Sequence, residues 1–293
     1  MKALVFGSTG QDGIYMSELC KDKGIEPIGV SRSGNGIRIN IAAYDDVDRL
    51  IRERKPDYIF HFAANSTTRH EALFENHEVI STGTLNILEA VRRHHPASRV
   101  FITGSGVQFR NTGDPISEGD EFDASSPYAI ARIQSVYAAR YFRSLGLKVY
   151  VGYLFHHESP YRKPGHISQT IVRFARQTAS GGSDVLPLGD ITVEKEWTFA
   201  GDVANAIMLL VNQEKVFEAA IGSGTTHSIR DWLDACFGII GKDWKDRVKV
   251  SDTFVPEYKK LVSNPATIQS LGWNPRVSFQ QLCQLMMDEA RAR

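Results

Sequence analysis

Short apolar runs alternate with longer amphipathic segments along the first half of the chain. The apolar runs predict β-strands at Ala3–Phe6, Glu26–Val30, Tyr58–Phe62, Arg99–Thr103 and Lys148–Leu154. The amphipathic segments predict helices at Ile14–Lys23, Tyr44–Arg54, Phe74–His94 and Tyr128–Leu145. This alternation is typical of βαβ units on a parallel sheet, so the sequence predicts an α/β protein with a Rossmann-type, doubly wound parallel sheet.

The pattern changes after Leu154. Loops become longer and richer in proline and glycine, while helices are still predicted at Gly201–Asn212, Ser228–Gly241 and Ser278–Arg291. We therefore expect residues 1–155 to form an NADP-binding Rossmann domain and residues 156–293 to form mainly a smaller C-terminal substrate-binding lobe. The chain can cross back between these lobes. The second lobe is expected to cover the carboxyl edge of the sheet, where ligands bind in doubly wound folds.

The apolar face of the fourth predicted helix has two interpretations. Ile130, Ile133, Val136, Tyr137 and Tyr141 form a stripe at helical spacing within Tyr128–Leu145. Such a stripe packs either against the chain's own core or against a second subunit. The sequence leaves both interpretations open.

Charge and composition exclude several classes of protein. The 293 residues are 42% hydrophobic, enough for a full core, and 34 basic side chains balance 34 acidic ones. A net charge of zero argues against a protein that binds nucleic acid or a membrane surface. The N-terminus enters a strand without a leader pattern, so a cytoplasmic location is expected. The three scattered cysteines have neither disulfide nor metal-ligand spacing, so no metal site is predicted.

A glycine-rich turn directly follows the first predicted strand and precedes a predicted helix. At this place one glycine permits a sharp turn, the next lets a pyrophosphate approach the main chain, and the third lets the helix pack against the turn. The phosphates then face the positive end of the helix. This context favours a dinucleotide site over a purely structural turn. The residues of the turn expected to bind the cofactor are Gly7, Thr9, Gly10, Gln11, Asp12 and Gly13.

The choice of cofactor depends on the end of the second strand. Arg32 stands where an acidic residue would bind the ribose of NAD, and an arginine there suits the 2′-phosphate of NADP. NADP is therefore the predicted cofactor, with NAD as the alternative. Ala63, directly after the strand Tyr58–Phe62, is a further expected cofactor contact.

A candidate catalytic group follows the fourth strand. Tyr128 and Arg132 are four residues apart, so on a helix they share one face. A fixed cation beside a tyrosine favours the phenolate and makes the side chain a usable acid/base. Ser105 can donate a hydrogen bond to the same substrate oxygen. We predict that these three residues are catalytic, and that Tyr128 and Arg132 also contact the cofactor.

These motifs resemble those of extended short-chain dehydrogenases/reductases, which carry a glycine fingerprint, a Ser or Thr after the fourth strand, and a Tyr-x-x-x-Lys pair. More narrowly, the chain resembles the GDP-mannose 4,6-dehydratase family. The segments that carry this narrower resemblance are Gly10-Gln11-Asp12-Gly13, Ser126-Pro127-Tyr128, Leu154-Phe155-His156-His157-Glu158-Ser159-Pro160, Leu188-Gly189-Asp190, Glu196-Trp197, His227-Ser228-Ile229-Arg230 and Leu271-Gly272-Trp273-Asn274-Pro275.

The resemblance implies a substrate, an assembly and further site residues. The substrate would be a nucleotide sugar, most simply a GDP-linked one. Substrate contacts are expected from Asn65, His156, Glu158, Lys195 and Glu257. As in related enzymes, the third and fourth predicted helices would pair with their mates across a twofold axis. A homodimer or homotetramer is therefore expected.

The chain also departs from the family pattern. Where the family reads Thr-Ser-Glu, this chain reads Ser105-Gly106-Val107, and an aliphatic side chain cannot remove the C5 proton. Arg132 replaces the usual lysine, and its planar fork differs from a compact ammonium. His156 replaces an asparagine and Lys195 an arginine, and a second arginine is not apparent around residues 254–257.

Val107 decides the predicted reaction. Redox chemistry at C4 needs only Ser105, Tyr128, a cation and the cofactor, whereas dehydration also needs a base for C5. The sequence therefore predicts a nucleotide-sugar oxidoreductase that reduces a 4-keto group, or epimerises C4, on a GDP-linked (6-deoxy) hexose. The alternatives are a GDP-mannose 4,6-dehydratase and a catalytically degraded nucleotide-binding homologue.

Overall fold

The computed structural model describes residues 1–32, 36–251 and 255–289. Its strands, numbered in chain order, are β1 Lys2–Phe6, β2 Glu26–Ser31, β3 Ile37–Arg38, β4 Tyr58–His61, β5 Arg99–Ser105, β6 Lys148–Leu154, β7 His157–Glu158, β8 Leu186–Leu188, β9 Glu194–Glu196, β10 Thr198–Phe199, β11 Glu218–Ile221, β12 Thr226–Ser228, β13 Val248–Val250 and β14 Lys260–Leu261.

The helices surround these strands. They are α1 Gln11–Asp22, α2 Tyr44–Arg54, α3 Leu73–Asn76, α4 Gly83–His94, α5 Pro127–Ser144, α6 Ile167–Ala179, α7 Ala200–Val211, α8 Ile229–Ile239, α9 Ala266–Ser270 and α10 Phe279–Glu289. Short 3₁₀ turns lie at His70–Ala72 and Gly106–Gln108. The end of the predicted helix Ser278–Arg291 falls partly outside the described residues, since residues 290 and 291 are not among them.

A parallel sheet forms the centre of the fold. Among the described residues, seven strands pair in the order β11-β6-β5-β4-β1-β2-β3, and all pairs are parallel. Helices α2, α4 and α5 cover one face, and α1 and α7 cover the other. The predicted doubly wound Rossmann-type fold is confirmed. The strand order reverses between β1 and β4, and ligands bind in such sheets at this switch point.

The second half of the chain contributes to both parts of the molecule. Helices α6, α8 and α10 pack around Trp197, Trp232 and Phe237 as a smaller lobe with its own apolar core. Between these helices the chain returns to the sheet, where α7 covers one face and β11 pairs with β6. The roles assigned to residues 1–155 and 156–293 remain a prediction.

The predicted helix Phe74–His94 is interrupted. A π-helical segment at His77–Thr82 separates α3 from α4. The hydroxyl groups of Thr84 and Ser135 both donate to the Ile80 carbonyl oxygen, at 2.6 and 3.1 Å. Donors inserted in this way compete with the regular backbone ladder, and apolar periodicity does not reveal them.

The described residues contain no helix with the length and hydropathy of a membrane span. Cys20, Cys236 and Cys283 are buried free thiols. The part of the chain that the structure describes contains no group of three or more His, Cys, Asp or Glu side chains that could hold a metal ion.

Candidate active site

The glycine turn is built as its sequence predicts. Gly7 has φ +86°, and a Cβ there would lie 2.7 Å from the backbone nitrogen of Ala63. A Cβ at Gly13 would lie 2.6 Å from the Cα of Ser8. At Gly10, by contrast, a Cβ would meet only the Gly7 carbonyl oxygen among the described residues, at 3.5 Å. The main chain is thus open at the N-terminus of α1, and the turn fits a dinucleotide pyrophosphate.

The side chains of Gln11 and Asp12 hold the segment that follows β6. Gln11 Nε2 donates to the His157 carbonyl oxygen at 3.2 Å and its Oε1 accepts from Ser159 Oγ at 2.9 Å, while Asp12 Oδ1 lies 2.8 Å from His157 Nε2. Burial would raise the pKa of Asp12, but the charge and hydrogen bond of His157 lower it below its usual value. Gln11 and Asp12 can therefore offer a pyrophosphate their backbone N–H groups.

Arg32 is paired with an acidic residue. Its Nη2 lies 2.8 Å from Glu75 Oε1, and Asn65 Nδ2 donates to Glu75 Oε2 at 2.7 Å. The hydrogen bonds from Arg32 and then Asn65 lower the pKa of Glu75. Glu75 thus brings Arg32 and Asn65 together beyond the end of β2. Thr9, in the glycine turn, is exposed.

The three predicted catalytic residues line one cleft. Ser105 ends β5, and Tyr128 lies in the first turn of α5, which Ser126 caps by accepting from the Ala129 N–H at 3.1 Å. The Arg132 guanidinium carbon lies 5.0 Å from the centroid of the Tyr128 ring. The cleft has a volume of about 560 Å³. The structure therefore brings together the serine, the tyrosine and the cation that the sequence predicts.

Arg132 is fixed in place below the tyrosine ring. It is 2% exposed, and its Nη1 donates to the Thr103 carbonyl oxygen at 2.7 Å. The nearby His61 is fully buried, and burial together with the charge of Arg132 lowers its pKa to about 3. His61 is therefore neutral, and the charge beside Tyr128 comes from Arg132.

The predicted substrate residues His156, Glu158, Lys195 and Glu257 also line this cleft. Lys195 Nζ lies 5.3 Å from the ring centroid of Tyr258. Burial lowers the pKa of Lys195, although Glu158 and Glu257 oppose the shift. Glu158 Oε2 lies 3.2 Å from Arg162 Nε, and Glu257 Oε1 accepts from Thr68 Oγ1 at 2.6 Å.

The family comparison covers almost the whole chain. The model of the GDP-mannose 4,6 dehydratase family matches residues 4–286. GDP-mannose 4,6 dehydratase 1 of Arabidopsis thaliana is 32% identical over 98% of this chain and 89% of its own length. The chain belongs to the GDP-mannose 4,6-dehydratase family. The GDP-mannose 4,6-dehydratase of Vibrio cholerae is 28% identical, over 98% of this chain and 93% of its own.

Solved structures agree on the fold of this family member. A UDP-glucose 4-epimerase of Thermotoga maritima with UDP-glucose has a TM-score of 0.87 at 20% identity, covering 100% of this chain and 99% of that one. RMD of Pseudomonas aeruginosa complexed with NADPH has a TM-score of 0.88 at 19% identity, with the same coverage. The recognised family and the fold class are thus both confirmed, and the protein is a nucleotide-sugar enzyme of this family.

Val107, which stands where the family has a glutamate, leaves this position of the cleft without a carboxylate. Val107 lines the cleft beside Ser105. The carboxylates that line the cleft among the described residues are Asp12, Glu158 and Glu257, and they contact His157, Arg162 and Thr68, respectively. Each of these three carboxylates therefore already has a partner.

Sequence reasoning missed a number of side chains that line the cleft, and four of them carry chemistry that bears on the site. These are His157, Arg162, His166 and Tyr258. His157 belongs to a segment that carries the family resemblance, so the sequence offered a signal for it. Arg162 and Lys163, which are consecutive in the sequence, form a basic pair that is a signal for an anion site. Tyr258 contacts His156 across 102 positions of the chain. No local pattern indicates that contact.

Proposed function

We propose that this protein is a 4,6-dehydratase of a nucleotide sugar, with GDP-mannose as the substrate. The observation that carries the proposal is the match to the family over residues 4–286, in a chain whose Ser105, Tyr128 and Arg132 line one cleft. The sequence alone favoured 4-keto reduction or C4 epimerisation. The comparisons support the dehydratase better.

Each of the three residues has a separate role in this proposal. A bound nicotinamide dinucleotide supplies the group that accepts and returns hydride. Tyr128 takes the proton of the C4 hydroxyl group. Arg132, whose guanidinium carbon lies 5.0 Å from the centroid of the Tyr128 ring, supplies the positive charge beside it. Ser105 donates a hydrogen bond to the same oxygen and holds it in place.

The second candidate function is reduction of a 4-keto group or epimerisation at C4. Val107 favours it, because this chain has an aliphatic side chain where the family has its elimination base. Neither reaction needs a proton acceptor at C5.

Product analysis separates these functions. Purified protein is incubated with GDP-mannose and NADP or NAD, and the nucleotide sugars are analysed by mass spectrometry. A product lighter by one water supports the dehydratase. A protein that leaves GDP-mannose intact but consumes NADPH with a 4-keto-6-deoxy sugar nucleotide is a reductase. A product of unchanged mass that chromatography separates from the substrate indicates a C4 epimerase. Absence of all three reactions, with cofactor still bound, would indicate a catalytically degraded homologue.

For the cofactor we propose NADP, bound with the help of Arg32. The wild-type protein should bind NADP more tightly than NAD, and Arg32→Ala should remove the preference. Glu75→Gln should strengthen NADP binding, because the Arg32 guanidinium is then no longer paired with a carboxylate. A hydrogen bond to a charged group contributes about 1.5–3 kcal/mol to binding. Because Arg32 is exposed, its contribution should lie at the low end of this range, so we expect each variant to change the NADP affinity by ~10-fold.

Calorimetric titration of both dinucleotides measures these affinities. NAD affinity serves as the internal control, because it should change little in Arg32→Ala. Equal affinities of the wild-type protein for NADP and NAD would contradict this assignment.

We also propose that two copies pair through α3, α4 and α5. The helices leave large apolar side chains exposed, among them Phe74 at 78%, Tyr137 at 58% and Tyr141 at 60%. Val136 of the predicted stripe is instead fully buried in the chain's own core. The exposed set forms an apolar face of the kind that subunit interfaces cover.

Analytical ultracentrifugation tests the pairing. The mass should be at least twice the 32.7 kDa of one chain. The double variant Tyr137→Glu/Tyr141→Glu should dissociate, because each carboxylate would be desolvated at the interface. A wild-type mass of one chain at micromolar concentration would show that this face does not pair.

A further inference from the structure

The register of the sheet places His156 and Val107 after the carboxyl ends of two neighbouring strands. Val107 is the residue that stands where the family has a glutamate. β5 and β6 are parallel neighbours, and Ser105 pairs with Leu154 at their carboxyl ends. Val107 and His156 each follow two residues later. Both line the cleft that contains Tyr128. His156 and Val107 therefore follow the carboxyl ends of two neighbouring strands, and both line one cleft.

His156 also has one ring nitrogen to which no hydrogen bond is made by the described residues. Its Nε2 lies 3.1 Å from the Tyr258 hydroxyl oxygen, and no other hydrogen bond to its side chain is made by the described residues. His157, in contrast, has both ring nitrogens engaged, by the Phe155 carbonyl oxygen at 2.7 Å and by Asp12 at 2.8 Å. If His156 Nε2–H donates to Tyr258, its Nδ1 keeps a lone pair.

The surroundings keep this imidazole neutral. Burial is the largest cause, and the positive charges of Lys195, Arg162 and His157 add to it, so the pKa of His156 lies well below its usual value. The phenol of Tyr258, whose oxygen lies 3.1 Å from His156 Nε2, has its pKa raised by burial and stays protonated. A neutral imidazole can accept a proton at neutral pH, and in the tautomer whose Nε2–H donates to Tyr258 the accepting atom is Nδ1.

We propose that His156 is the base that removes the C5 proton in this enzyme. In a 4-keto sugar nucleotide the C5–H bond lies next to the carbonyl group. Nδ1 of His156 takes that proton, and the electron pair of the C–H bond forms the C4–C5 enolate. The enolate then forms the C5–C6 double bond as the C6–O bond breaks. The leaving hydroxyl group receives the proton back from His156 and departs as water.

This inference rests on the proposed dehydratase, but proton removal at C5 can be measured without dehydration. The substrate is GDP-4-keto-6-deoxymannose in deuterium oxide, and deuterium at C5 is followed by mass spectrometry. The wild-type protein should catalyse the exchange. His156→Asn, which restores the family's residue, should reduce it by at least ~10²-fold, in keeping with the loss of a general base.

Further variants separate a chemical role from a structural one. NADP affinity should be unchanged in His156→Asn, which shows that the cleft is intact. The double variant Val107→Glu/His156→Asn should recover part of the exchange, because a carboxylate then stands on the neighbouring strand. The matched control is His95→Asn, at the end of α4 and outside the cleft. It should exchange as the wild-type protein does.

Three results would overturn the inference. They are no C5 exchange by the wild-type protein, unchanged exchange in His156→Asn, and loss of exchange in His166→Asn but not in His156→Asn. If exchange depends on His156 while GDP-mannose loses no water, His156 keeps its assignment and only the proposed dehydratase fails.

Discussion

Tyr128→Phe is expected to lower turnover by about 10²–10⁴-fold, because it removes the only atom of the side chain that can transfer a proton. The ring itself is retained, so its contact with the Arg132 guanidinium at 5.0 Å should persist. Cofactor affinity should therefore change little. The measurement is steady-state turnover with the substrate identified by product analysis, together with calorimetric titration of the cofactor.

Arg132→Lys is the companion to this variant. Lysine keeps the charge and one donor for the Thr103 carbonyl oxygen, so turnover should stay within about tenfold of the wild-type value. Arg132→Met keeps the length of the side chain but removes the charge, and it should approach the loss seen in Tyr128→Phe. Normal turnover of Tyr128→Phe would place the acid/base elsewhere in the cleft.

Gly13→Ala should remove most of the cofactor affinity. The new Cβ would lie 2.6 Å from the Cα of Ser8, and both atoms belong to the main chain, so the turn or α1 must move. Overpacking of this kind costs about 1–3 kcal/mol. The movement also displaces the N–H groups that would face the pyrophosphate, so we expect both a lower Tm and at least ~10-fold weaker dinucleotide binding.

Gly238→Ala is the matched control. Gly238 lies in α8, where a Cβ would meet nothing within 4 Å among the described residues. Alanine in an exposed helix is favoured over glycine by about 1 kcal/mol, so this variant should be as stable as the wild-type protein or more so. Thermal unfolding and dinucleotide titration of the two variants form one experiment. Equal behaviour would mean that Gly13 is not needed for packing.

The parts of the fold and site that depend on local sequence could be predicted. The turn between β1 and α1 follows from the spacing of Gly7, Gly10 and Gly13, because each acts on its immediate neighbours. Tyr128 and Arg132 meet because they are four residues apart on one helix. The central strands β4, β5 and β6 are apolar runs buried on both faces, which a single sequence displays directly.

Contacts between distant segments could not be predicted in this way. Asp12 and His157 are 145 residues apart, and Arg32 and Glu75 are 43 apart. Their pairing depends on how the sheet brings its strand ends together, which periodicity does not encode. The π-helical segment at His77–Thr82 likewise involves a distant residue. The hydroxyl group of Ser135, on helix α5, donates a hydrogen bond to the Ile80 carbonyl oxygen. The roles given to the individual site residues remain predictions that the variants above test.

The position of β11 has a consequence for the order in which the chain can fold. β6 is complete at residue 154, but β11, its neighbour on the outer side, comes only at residues 218–221. During synthesis at about 5–20 residues per second, the edge of β6 is thus unpaired for roughly 3–13 s. An open edge of this kind readily pairs with other chains. A fragment ending at residue 155 would keep that edge permanently, and we expect it to aggregate.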